Sequence, residues 1–265
     1  MMNSTEDAVL IAMDSGVLTV TLNSPAVRNA LTDAIETGLA RAAKEANRSK
    51  VRSVILTGNG PAFCAGANMK ELDGNEGRDA GTLRARAREI PESVFLPLAR
   101  IEKPVIVALN GAAVGAGIGL ALTGDYRVCA QSSSFIFAFL RLGLAPDLGI
   151  AWTLPRLIGY RAARDLLFRG RTVTAEEALH LGLADQVVPD DDLAEAAKEL
   201  ADEMAEGPTL ALGATKTLLR RGAELDLERF LDYEILAQSM LVGTEDHREA
   251  VNAHKGRRAP KFRGR

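Results

Sequence analysis

Two stretches of small residues and one aspartate hold the groups of this chain whose types and spacing could do chemistry. The first stretch, Lys103 to Asp125 (KPVIVALNGAAVGAGIGLALTGD), begins with an apolar, β-branched run from Val105 to Leu109. It then places Gly111, Gly115, Gly117 and Gly119 among Ala112, Ala113 and Ala116. The second, Phe63 to Leu72 (FCAGANMKEL), also follows an apolar run and is also small at its turn. A strand that turns through small residues into a helix leaves backbone N–H groups without intrahelical partners, aimed at one place. Such a turn either binds an electron-rich group or merely lets helix and sheet pack closely. A dinucleotide fingerprint counted from Gly115 requires glycine at position 120, where Leu120 stands. A Walker-type loop requires Gly-Lys-Ser/Thr, and Gly117 is followed by Ile118. Two turns that each give one N–H to the same oxygen would instead form an oxyanion hole, which polarises a carbonyl and stabilises an enolate or tetrahedral oxyanion. Phosphate sites more often carry lysine, serine or threonine within the turn; here Lys70 comes only after the second helix has begun.

Asp147 is a loop carboxylate with apolar neighbours. It follows Pro146 in the loop Gly143 to Gly149, eight residues past Phe139. A carboxylate walled by Phe137, Phe139 and Leu140 would have its charged form desolvated and its pKa raised toward acid–base use. The alternative is a turn residue that caps the next helix. Other polar candidates read as structural. Cys64 has no adjacent cation to activate a thiolate, Asp125 follows a glycine at a strand start, His180 lies mid-helix, and His247 lies in a charged helix.

The elements that must position these groups are legible in outline. Val9–Ile11 and Val17–Leu22 flank Asp14-Ser15-Gly16, a hairpin signal. Thr32 can cap a helix running to about Asn47, and Ser53–Thr57 reads as a buried strand ending at the turn Gly58-Asn59-Gly60-Pro61. Thr82 opens a helix bearing Arg84, Arg86 and Arg88, read as a solvated face. Tyr126–Ala130 is a short strand, Phe135–Leu140 an apolar run, and Trp152–Ile158 and Arg161–Phe168 are helical. Thr174-Ala175-Glu176-Glu177 is a capping box, and Val187-Val188 a last short strand. From Asp190 the chain is almost entirely helical, which divides it at about residue 190 into a β/α part, 1–190, and a helical part, 191–265.

Composition sets the class. With 265 residues, 47% hydrophobic and 25% charged, the chain is long enough for a large α/β core. A net charge of −3 and 5% aromatic residues argue against nucleic acid as a partner. Two cysteines without metal-ligand spacing, no basic leader and no long apolar run point to a reduced, cytoplasmic protein that does not enter membranes.

Together these segments resemble a known family. Asn29-Ala30-Leu31 after Pro25, FCAGANMKEL after a strand ending in Thr57-Gly58, KPVIVALNG…GAGIGLALTGD, GLAPDLG and TAEEALHLGLADQVV occur in order over nearly the whole chain. This pattern is similar to that of the crotonase superfamily, the enoyl-CoA hydratases and isomerases. The resemblance implies an α/β spiral of ββα repeats, with the acyl-CoA site in residues 1–190 and a helical trimerisation region in 191–265. It implies a homotrimer or a hexamer built as a dimer of trimers. It also implies an acyl-CoA thioester substrate, with coenzyme A carried as part of the substrate and no separate cofactor or metal. The thioester oxygen would sit between the N–H groups of Ala67 and Ala116. Arg28 and Ala30 match the family's CoA-wrapping region, Ala65, Ala67, Asn68 and Met69 its loop over the pantetheine arm, and Arg257 a C-terminal lysine that reaches a neighbouring subunit's CoA. His254 stands where the family often has phenylalanine.

The chain departs from the family's hydratases at their two glutamates: those positions are Gly119 and Phe139 here. Without an acid and a base in reach, hydration loses its catalysts, whereas an oxyanion hole still acidifies the α- or γ-proton. Asp147 matches the functional aspartate of dienoyl-CoA and phenylacetyl-type ring-epoxide isomerases, and PDLG…WTLPR reads like the latter. The resemblance therefore favours an enoyl-CoA isomerase. A 2-enoyl-CoA hydratase of β-oxidation and a catalytically silent acyl-CoA-binding protein are the alternatives.

Overall fold

The computed structural model describes residues 7–68 and 79–265. Two sheets carry the chain. Strands β1 (Val9–Asp14) and β2 (Val17–Leu22) form the expected hairpin, and Ser15 and Gly16 take positive φ at its turn. A parallel run follows: β2 pairs with β3 (Ser53–Gly58), β3 with β5 (Val105–Leu109), β5 with β7 (Tyr126–Ala130), and β7 with β10 (Gln186–Val188). The smaller sheet has the order β4 (Ala62–Cys64), β6 (Ala112–Val114), β8 (Ser134–Ile136), β9 (Thr172–Thr174), with only the last pairing antiparallel. Strands β3, β5 and β7 neighbour one another in the first sheet, and their successors β4, β6 and β8 neighbour one another in the second. Each unit thus gives one strand to each sheet before its helix, and successive units stack side by side. This is the repeat that the resemblance implies.

Apolar patterning explains which faces are covered. All five residues of β5 are buried, as befits a central parallel strand. Helix α1 (Asp33–Ala46), capped by the Thr32 hydroxyl accepting from the Ile35 N–H, buries Ile35, Leu39, Ala42, Ala43 and Ala46 on one stripe. The opposite face of the large sheet, Ile55, Ile106, Ala108 and Val128, is covered by α7 (Leu193–Glu206) through Leu193, Ala197, Ala201 and Ala205. Helix α8 (Thr209–Gly222) is anchored by Lys216, whose Nζ donates to Asp125 Oδ2 at 2.6 Å; Asp125 also accepts from the Val105 N–H.

Several elements differ from the sequence expectations. The arginine-bearing helix α2 (Ala80–Ile90) is capped by Asp79, which accepts from the N–H groups of Gly81 and Thr82, and not by Thr82. It continues past Pro91 through a wide π-helical turn, Pro91–Phe95, into α3 (Leu96–Ala99), because a wider turn tolerates the missing proline N–H. Helix α4 (Ala116–Ala121) starts two residues before Ile118. The two helices expected around residue 160 form α5 (Ile150–Arg169), broken internally at Gly159, whose φ of 78° and ψ of 154° are not helical. At α6 (Ala175–Leu181) half the capping box forms: Thr174 accepts from the Glu177 N–H, while the Glu177 carboxylate pairs with Arg171. Helices α9 (Leu227–Val242) and α10 (Glu245–Lys255) end the fold.

Candidate active site

The two small-residue turns meet because the strands that feed them pair: β4 lies parallel to β6, with Ala62 opposite Ala112 and Cys64 opposite Ala113. Gly115 leaves β6 with φ 51° and ψ −119°, a conformation that a side chain disfavours. Its N–H donates to the Ile136 carbonyl of β8 at 3.0 Å. Ala116 thereby becomes the first residue of α4, where a backbone N–H has no intrahelical acceptor. On the neighbouring turn Gly66 has φ 78°. A methyl group at Gly66 would stand 2.3 Å from the Val114 carbonyl oxygen and 3.1 Å from the Ala116 nitrogen, and one at Gly117 would stand 2.3 Å from the Cys64 carbonyl oxygen. The turns are in van der Waals contact, and only glycine permits that approach.

The segment before α1 completes this edge. The Arg28 carbonyl accepts from the Ala65 N–H at 2.9 Å, and the Leu31 N–H donates to the Gly66 carbonyl at 2.8 Å, forming a parallel bridge between Leu31 and Ala67. In such a bridge the Ala67 N–H points to the side away from Leu31. Among the described residues neither the Ala67 nor the Ala116 N–H donates to a backbone carbonyl. Ala67 is exposed and Ala116 buried, so an oxygen held by both would have one donor at the mouth and one at the floor. Asn29, fully buried, fastens the edge: its Oδ1 accepts from the Ser24 N–H, and its Nδ2 donates to the carbonyls of Asn59 and Ala62. The Arg28 side chain is exposed, the Ala30 methyl is buried, and Ala65 and Asn68 are half-buried along the bridge. Met69 lies outside the described residues.

Beyond β8, the third strand of the row, the aromatic wall is narrower than the sequence suggests. The Phe139 ring reaches to 3.8 Å from the place a side chain at Gly115 would begin. Phe137 is instead fully buried, with its N–H bound to the Arg171 carbonyl, and Leu140 is half-exposed at the surface. The backbone turns after β8 into a 3-10 helix, Phe139–Leu142, which sends consecutive side chains in different directions.

Asp147 opens the turn that leads to α5. Its carbonyl accepts from the Ile150 N–H at 3.0 Å, closing the turn over Leu148 and Gly149. The helix cap is Gly149, with no side-chain cap bond, so the Asp147 carboxylate does not serve as the cap. Among the described residues it accepts a hydrogen bond only from its own N–H. The residue is exposed at the surface, and partial desolvation by the neighbouring protein pushes its carboxyl above the usual range, against the opposing effect of its own N–H. A methyl group at Gly119 would stand 2.6 Å from Leu148 Cβ and 2.9 Å from the Leu148 carbonyl oxygen. Gly119 is one helical turn beyond Ala116, so the turn that carries Asp147 packs against the same helix that presents the Ala116 amide.

Other polar residues take structural places. The Cys64 thiol is pushed up to about 12 by burial. His180 Nδ1 is bonded to the Glu176 carbonyl, and His247 and His254 are exposed. Arg257 is exposed just past α10, and no described contact links it to the two turns. Among the described residues no group of three His, Cys, Asp or Glu could hold a metal ion. Sequence reasoning missed Gly66, Asn29 as a fastener, and Leu148. The Ala-Gly-Ala triplet was a usable signal for the first; a leucine in a turn offers none.

The two turns thus stand in contact, with the Ala67 and Ala116 amides free of backbone carbonyl partners among the described residues, and comparison with known proteins shows the family. The enoyl-CoA hydratase/isomerase family pattern matches residues 12–265. The chain is 37% identical over 258 residues to a 1,2-epoxyphenylacetyl-CoA isomerase of Escherichia coli K12, covering 97% of this chain and 98% of that one. It is 34% identical over 258 residues to a 2,3-dehydroadipyl-CoA hydratase of the same organism, covering 97% and 99%. A crystal structure of an enoyl-CoA hydratase/isomerase from Cupriavidus metallidurans CH34 superposes with a TM-score of 0.91 at 29% identity over 98% of both chains. With the whole pattern, the fold and these relatives in agreement, the chain belongs to the enoyl-CoA hydratase/isomerase family.

Proposed function

We propose that the protein is an enoyl-CoA isomerase that moves a double bond through an enolate. The thioester oxygen accepts hydrogen bonds from the Ala67 and Ala116 N–H groups. The Asp147 carboxylate takes a proton from C2 of a 3-enoyl-CoA; the C–H electron pair becomes the C1=C2 π bond of a dienolate, and the carbonyl π pair moves onto the oxygen, giving the oxyanion that the two amides stabilise. The same carboxyl returns the proton to C4, the double bond settles between C2 and C3, and no atom is gained or lost. A base whose pKa is raised toward working pH suits both steps. Arg28, Ala30, Ala65 and Asn68 line the CoA path in this reading, Phe139 walls the acyl side, and coenzyme A enters only as part of the substrate.

The observation that carries the reading is at Gly119. The family's hydratases bear a glutamate there; here the space a side chain would need is filled by Leu148, and the nearby carboxylate is Asp147. Assaying the pure protein on 3-enoyl-CoA and on crotonyl-CoA tests it. Formation of 2-enoyl-CoA with little hydration supports the isomerase. Robust hydration of crotonyl-CoA without isomerisation overturns it in favour of a hydratase, and tight binding with no conversion of either overturns it in favour of a silent binder.

Self-association belongs to the same reading. Helix α9 buries none of its residues and leaves Leu227, Leu231, Ile235, Leu236 and Met240 exposed, apolar surface of the kind that interaction sites carry. A trimer, or a hexamer of two trimers, would cover it and bring Arg257 of one copy toward the site of another.

A further inference from the structure

The turn that carries Asp147 is held in a form its sequence does not favour. Asp147 and Ile150 are joined carbonyl to N–H, and both residues between them have positive φ, 42° at Leu148 and 72° at Gly149. Turns with two positive φ values ordinarily take Asn-Gly, Asp-Gly or Gly-Gly; a leucine at the first central place is an outlier that persists only when its surroundings impose it. Two contacts impose it here. On one side Leu148 rests on Gly119 of α4, its Cβ and carbonyl oxygen filling the place of a side chain there at 2.6 and 2.9 Å. On the other, the Phe95 ring of the π-helical turn lies 2.9 Å from where a side chain at Gly149 would begin. Neither neighbour at Gly119 is the free end of a flexible chain, so any side chain at 119 must displace the turn and Asp147 with it.

We infer that Gly119 and Leu148 form a seat that positions Asp147: the missing side chain of Gly119 fixes where the carboxylate stands relative to the Ala116 amide. Gly119 is then a positioning residue, acting through Leu148 without touching substrate. The inference rests on the reading of Asp147 as the proton carrier. It also means that Gly119→Glu does not convert this chain to a hydratase, because a glutamate there enters occupied space.

The test is a double-mutant cycle on 3-enoyl-CoA isomerisation. Gly119→Ala is expected to lower kcat at least tenfold with KM within about threefold, since substrate binding does not pass through the seat. Leu148→Gly removes the Cβ that clashes and frees the backbone, so in the Gly119→Ala background it is expected to raise kcat at least threefold, whereas alone it lowers kcat by loosening the turn. Wild-type kcat in Gly119→Ala, or a loss that Leu148→Gly does not relieve, overturns the seat. If Gly119→Ala does not fold, Leu148→Gly alone decides: an unchanged kcat overturns it. Asp147→Asn, measured alongside, separates the two claims. Full activity in Asp147→Asn overturns the proton-carrier reading, while loss of activity there with Gly119→Ala intact overturns the seat only.

Discussion

A carboxylate becomes a useful base through what surrounds it, and among the described residues Asp147 is partly desolvated without an ion-pair partner. Its charged form is desolvated, so its carboxyl titrates above the usual 3.8. The proposed base works deprotonated. The isomerisation rate is therefore expected to be full at neutral pH and to fall, as pH drops, through an inflection above 3.8; a pH profile of kcat checks this, and an inflection at or below 3.8 would point to another group. Asn29 makes a different residue-scale prediction. Asn29→Ala leaves the Asn59 and Ala62 carbonyls and the Ser24 N–H without their partner, which should cost about 2–4 kcal/mol in thermal or denaturant unfolding. Asp147 was proposed from the sequence because the family's two glutamate positions hold Gly119 and Phe139, which leaves it as the loop carboxylate. Leu148 was not, since its role comes from a backbone conformation and from contacts with two distant segments. The expected wall of Phe137 and Leu140 was hidden for a like reason: Phe137 packs in the core beside the Arg171 segment, and the 3-10 turn that follows, invisible in an apolar run, leaves Leu140 at the surface.

At the scale of elements, the site is the meeting of three strand ends, β4, β6 and β8. Gly66→Ala would combine a left-handed alanine with a methyl 2.3 Å from the Val114 carbonyl oxygen. It should destabilise the protein by about 2–5 kcal/mol and part the two turns, read as a lower unfolding midpoint together with weaker acyl-CoA binding. The long elements were legible: β5 as an apolar run, α1 from its cap and stripe, α4 within two residues. The three-residue strands β4, β6, β8 and β9 were not, because three residues show no periodicity, and they are what bring the turns together. The C-terminal tail gives a pH prediction that rests on a carboxyl shifted the opposite way from Asp147. Glu249 accepts from Arg258 and from the Lys261 N–H, and these bonds hold its carboxyl down to about 2. A depressed carboxylate stabilises above its ordinary pKa of 4.5 and loses that contribution as pH falls toward 2. Amide protection at Lys261 should decline over that interval, and Glu249→Gln should remove the decline.

At the scale of the molecule, the large sheet is covered on both faces, while α9 buries none of its residues. Ile235→Glu with Leu236→Glu should leave helical content unchanged and shift the protein to a monomer in sedimentation; a wild-type chain that already sediments as a monomer would contradict the assembly. Among the described residues no helix is long and apolar enough to cross a membrane. The composition-level class and the family resemblance were both legible from the chain alone, since the motifs run in order along its length; the way α9 stands clear of the core was not, because its apolar residues read like any buried helix. What the whole molecule does turns on whether one carboxylate moves one proton between two carbons. The most direct measurement is conversion of 3-enoyl-CoA in heavy water by the wild type and by Asp147→Asn, following double-bond position and deuterium at C2 and C4. The account predicts isomerisation by the wild type, a loss of about 100- to 10,000-fold in Asp147→Asn, and acyl-CoA binding retained in both. Equal turnover by the two proteins would contradict it.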